Sequence, residues 1–108
     1  MTDKHLKTTL EALGVPVARL LYKGNADTFI TFQRVNATPA QHADDDGQEV
    51  ERLYRVDLFS KDDYTELLDR LKQALEDADF YGLVEGPELF EDDTKYFHIP
   101  LDVNYLEE

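Results

Sequence analysis

Apolar and polar residues alternate along this chain in two rhythms, and the sharpest change between them falls within residues 50–80. Tyr54, Val56 and Leu58 alternate with Arg55 and Asp57, the period-two pattern of a half-buried strand. Beyond Ser60 the rhythm changes. Tyr64, Leu67, Leu68, Leu71, Ala74, Leu75 and Ala78 recur at helical gaps and form one apolar stripe. Ser60 stands where an N-cap is expected, and Asp63, three residues on, approximates a capping box. Asp62 and Asp63 would then meet the positive end of the helix dipole. Each buried Leu contributes roughly 1.5–3 kcal/mol, so this stripe can anchor a small domain if a sheet lies beneath it.

The remaining pattern supplies that sheet. Thr2 or Asp3 caps a first helix over 4–13, with Leu6, Leu10 and Leu13 on one face and Gly14 and Pro16 ending it. Residues 17–22 read as a strand, 23–26 as a turn and 28–35 as a second strand with Ile30 and Phe32 on one face. The short link between them predicts a hairpin. Residues 36–48, NATPAQHADDDGQ, have little to bury and are expected to be a mobile loop. After the second helix a short strand over 80–84 breaks at Gly86 and Pro87, resumes at Leu89 and Phe90, and is followed by a turn at 92–95. In the last strand Phe97, Ile99, Leu101, Val103 and Tyr105 alternate with polar neighbours. Pro100 has no N–H, which predicts an edge strand or a bulge there.

The order α-β-β-β-α-β-β predicts one α+β domain over residues 1–108. Its form is a two-layer sandwich, with two helices on one face of a mostly antiparallel sheet of about five strands. Leu53 and Phe59 point away from Tyr54, Val56 and Leu58, so apolar surface remains on the uncovered face, a hint of assembly.

Charge adds a second layer. The net charge is −13. Residues 1–36 hold five basic and three acidic side chains, whereas residues 37–108 hold six and 21. Such a surface repels phosphates, so specific nucleic-acid binding is not expected. There is no cysteine, which excludes disulfides, thiol nucleophiles and Cys-based zinc sites. No segment is long and apolar enough for a membrane span, and the first residues lack the apolar core of a signal peptide; the cytoplasm is the expected site of synthesis.

Candidate chemistry is sparse. His5, His42 and His98 share no metal-ligand spacing, and each reads as an exposed surface residue. Asp44–Asp46 echo a calcium loop but lack its alternate spacing and its terminal bidentate Glu, so they read as a solvated loop. No phosphate loop, nucleophile elbow or H-E-x-x-H occurs. The expectation is no enzyme, no metal and no cofactor.

The run YRVDLFSKDDYTEL at 54–67 resembles the strand–"FSK"–helix segment of small tail proteins from siphophages and prophages of Gram-positive bacteria. Asn36, Pro39, Ala40, Asp44 and Asp45 fit the same pattern, as do Asp92, Asp93 and Thr94 leading to His98. The similarity is to the tail terminator, or tail completion, group of the head–tail joint, and it extends over nearly the whole chain. It implies a ring, commonly hexameric, that caps the tail tube and docks to the head connector. Subunits would reside in the virion tail and, during assembly, in the bacterial host cytoplasm. The loop at 36–48 would make the contact, through Asn36, Pro39, Ala40, His42, Asp44, Asp45 and Asp46. Two other readings stand beside it: an acidic protein-binding module of the DNA-mimic inhibitor type, supported by the net charge, and a small enzyme.

Overall fold

The computed structural model describes residues 2–39 and 50–107. In chain order these form α1 (Thr2–Glu11), β1 (Val17–Arg19), β2 (Thr28–Pro39), β3 (Val50–Ser60), α2 (Thr65–Asp77), β4 (Tyr81–Glu85), β5 (Leu89–Glu91) and β6 (Tyr96–Glu107). All six strands join one sheet in the order β1-β2-β3-β6-β4, with β5 pairing β6 alongside β4. Every pairing is antiparallel except β1 with β2. The architecture is the expected α+β sandwich, with six strands where about five were expected.

The register explains the core. Ile30, Leu58 and Ile99 lie abreast across β2, β3 and β6, and Phe32, Val56 and Leu101 form the next row. Cross-strand partners share a face, so these rows meet Leu6 and Leu10 of α1 and Leu68, Leu71 and Leu75 of α2 in one buried cluster. The stripe read from the sequence is therefore the face that α2 buries. Gly14, at φ +88°, ends the first helical segment as expected.

Several expectations are corrected. The anticipated hairpin is a parallel pair, with Val17 opposite Ile30 and Arg19 opposite Phe32. The strand ends at Arg19 because the chain turns sharply at Leu20. The connection then passes over the uncovered face of the sheet, where Tyr22 stacks on Phe29 at 4.2 Å. Of the loop expected at 36–48, residues 36–39 instead extend β2, pairing Asn36 with Leu53 and Pro39 with Val50 beyond a register shift between Arg34 and Asn36, and residues 40–48 lie outside the described residues. Proline is tolerated there because β1 ends opposite Phe32, which leaves this half of β2 as an edge among the described residues.

Ser60 is not an N-cap. It ends β3, buried, with its hydroxyl 3.0 Å from that of Thr28 and accepting from the Asp62 N–H at 3.1 Å. The helix starts at Thr65, whose N–H donates to Asp63 Oδ1 at 3.0 Å. Asp63 thus serves one orphan donor from outside the helix, and that bond holds its carboxyl below the usual range. Thr2 and Asp3 lie within α1 and do not cap it. The Thr2 hydroxyl donates to Glu107, and Asp3 accepts from Tyr54.

Pro100, expected at an edge or at a bulge, lies in an interior strand, opposite Asp57 in a register with β3 that runs without a shift. Its carbonyl accepts from the Gly86 N–H at 2.8 Å, so its backbone polar groups point toward β4 and β5, away from β3. The missing N–H faces the break between those two short strands, where no ladder bond is required.

Candidate functional site

The residues expected to make contacts divide. Asn36 and Pro39 stand on the far half of β2, whereas Ala40, His42, Asp44, Asp45 and Asp46 lie outside the described residues. The far halves of β2, β3 and β6 form a three-stranded ribbon, with Val50 between Pro39 and Glu107. Among the described residues no further strand borders the ribbon, because β1 ends opposite Phe32 and β4 begins opposite Asn104.

Charge fastens α1 to the root of this ribbon. Asp3 accepts from the Tyr54 hydroxyl and from Arg34 at 3.1 Å, with Arg19 at 3.9 Å. Burial opposes its ionisation, but Tyr54, Arg34 and Arg19 outweigh burial and hold its carboxyl below the usual range. Burial and Asp3 together push the Tyr54 hydroxyl up to about 12. Glu107 accepts from Arg52 at 2.9 Å and from Thr2, and these bonds depress its carboxyl to about 2.

A hollow of about 700 Å³ opens beside this cluster, lined by Thr2, His5, Asp79, Tyr81, Tyr105 and Glu107 among others. Its histidine is not the exposed residue expected. His5 Nε2 donates to the carbonyl of Ala78 at 2.8 Å, and the ring stacks on Phe80 with centroids 5.5 Å apart. The imidazole is fixed as a bridge between α1 and the end of α2.

The uncovered face of the sheet has an aromatic end and a charged centre. Phe29 and Phe59 stack at 4.7 Å, and His98 stacks on Phe59 at 4.2 Å. His98 is half-buried, and its Nε2 bonds Asp57 at 2.8 Å. Beside it Arg55 binds Asp102 through two bonds, 2.9 and 3.2 Å. A groove of about 500 Å³ runs along these pairs, bounded by Val84, Pro87, Leu89 and Pro100. Each acid here is matched to a cation or an imidazole across one strand gap. The arrangement offers a surface of fixed polarity and no unengaged acid–base pair. Among the described residues no group of three His, Asp or Glu could hold a metal ion.

Two apolar patches escaped the sequence reading. At the β1 edge Leu20 adopts φ +67°, and the Leu21 N–H donates back to the Arg19 carbonyl at 2.7 Å. This three-residue turn ejects both leucines into solvent, 63% and 67% exposed. At the opposite edge Val84, Leu89 and Phe90 are similarly exposed. A signal for the first patch existed: Leu20 and Leu21 are adjacent, which breaks the period-two alternation of a half-buried strand.

No protein-family model matches the chain, and no curated protein matches it in sequence. Among solved structures it is similar to a chain described as "Virion of native gene transfer agent (GTA) particle". Identity is 17%, the match covers 90% of this chain and 82% of that one, and the TM-score is 0.51. At that identity the likeness is one of fold, and it spans the sandwich from nearly one end to the other.

Proposed function

We propose that this protein is a structural component of a phage-like virion. Within it the protein serves as the tail terminator, or tail completion protein, at the head–tail joint. A ring of copies, six in the commonest form, caps the tail tube and presents a surface to the head connector. The chain works by contact and turns nothing over. The observation that carries the reading is the likeness of fold, along nine-tenths of the chain, to a chain of a gene transfer agent virion. The similarity of residues 54–67 to the tail-protein segment supports the finer assignment. In this reading the ribbon of β2, β3 and β6 reaches toward the tube, and the contact includes Asn36, Pro39, Ala40, His42 and Asp44–Asp46. The acidic surface lets DNA pass without holding its phosphates. Subunits are made in the bacterial host cytoplasm and end in the tail.

The test is deletion of the gene from its phage or prophage, with purified particles examined by electron microscopy and mass spectrometry. Wild-type particles should contain the chain, and the deletion should leave heads and tails unjoined. Particles that lack the chain, or joined particles formed without it, would overturn the reading.

A further inference from the structure

The two exposed apolar patches lie on opposite edges of one sheet, and their surroundings are opposite in charge. At the β1 edge Leu20 and Leu21 project between Arg19, which lies 3.9 Å from Asp3, and Lys23, so Lys23 is the cation this rim offers to a partner. At the other edge Leu89 and Phe90 project among Glu88, Glu91 and Asp93. In the same turn Lys95 pairs with Asp92 at 3.2 Å, whereas no lysine or arginine pairs with Glu88, Glu91 or Asp93 among the described residues, so the rim stays net acidic. Exposed leucines and aromatics clustered on an edge are characteristic of surfaces that something covers. Charge identifies the cover. A basic-rimmed leucine corner does not fit itself, but it fits an acidic-rimmed apolar edge, and the same molecule carries both.

We infer that the Leu20–Leu21 corner of one copy docks on the Leu89–Phe90 edge of a second copy, giving head-to-tail association. Because the two surfaces differ, each copy retains one corner and one edge. Association therefore continues until a ring closes or a filament grows. The inference gives the ring of the preceding section its interface, and it rests on that reading only for the closure.

Light scattering on the full chain after size exclusion tests it. Wild type should form concentration-dependent oligomers. Leu20→Asp/Leu21→Asp, with a spoiled corner, and Leu89→Arg/Asp93→Arg, with a spoiled edge, should each weaken association by about tenfold or more. Mixed together they retain one intact corner and one intact edge, so they should give 1:1 dimers and nothing larger. A milder pair guards against misfolding: Lys23→Glu and Glu88→Lys should each weaken association, and the chain carrying both should regain it. A monomeric wild type, oligomers that persist in the single-surface variants, or a mixture that fails to dimerise would overturn the interface. The virion assignment is judged separately, by presence of the chain in purified particles, so either can fail while the other stands.

Discussion

Glu107 joins three parts of the molecule at one carboxylate: β6, which carries it, Arg52 of β3 and Thr2 of α1. Its folded-state titration near 2, against an ordinary value of 4.5, makes this junction sensitive to acid. A depressed carboxylate contributes stability that is present above the unfolded value and is lost as pH falls through the folded one. Solvent reaches 32% of the side chain, so screening reduces the contribution to about 1 kcal/mol. Glu107→Gln should therefore unfold at lower urea than wild type at pH 7. The gap between the two midpoints should narrow as pH falls from 4.5 toward 2. A gap independent of pH would show that the pairing with Arg52 adds nothing. Leu20 shows the opposite economy at this scale. A leucine in the left-handed region costs roughly 1–2 kcal/mol, and inside the monomer that cost obtains no burial, since the side chain stands in solvent.

At the level of elements, the junction of β4, β5 and β6 decides how an interior strand carries a proline. A methyl group added at Gly86 would sit 2.7 Å from Pro100 Cγ, a distance that forces movement. Gly86→Ala should cost about 1–3 kcal/mol by overpacking. In the Pro100→Ala background the same change should cost less, because the ring it strikes is gone. Equal costs in both backgrounds, measured as a double-mutant cycle in urea, would remove this contact from the account. Pro100 also shows where local reading ends. The stripe of α2 and the alternation of β3 and β6 were legible because burial on one face imposes a period that needs no knowledge of partners. Strand neighbours carry no such mark. The parallel pairing of β1, the interior place of Pro100 and the extension of β2 to Pro39 are all set by which strand lies alongside. Ser60 failed as a cap for a related reason: its hydroxyl had a closer partner in Thr28, across the ladder from it. Of the candidate surface, the charge asymmetry was legible in the sequence. The two apolar edges were not, because exposure is a property of the assembled sheet.

Across the whole molecule two electrostatic effects act on association in opposite directions. Each copy carries a net charge of −13 and measures 51 × 24 × 24 Å, so approaching copies repel over their full length when screening is weak. The Debye length is about 30 Å at 0.01 M salt, comparable with the molecule, and about 8 Å at 0.15 M. Raising salt across that interval removes the long-range repulsion while leaving close contacts between a basic corner and an acidic edge largely intact. Above it, toward 1 M, those contacts are screened too, and only apolar burial remains. Self-association should therefore be weakest at the lowest salt, strengthen to an intermediate optimum, and then decline or level off. An acidic module that captures a basic partner behaves differently. Its two bodies attract at every distance, so its affinity falls steadily from the lowest salt upward. Sedimentation of the purified chain from 10 mM to 1 M salt tests the self-association profile. A rise in oligomer between 10 and 150 mM is expected here, and a monotonic fall would mean that long-range charge favours contact, which a chain of this net charge meeting its own copy cannot provide.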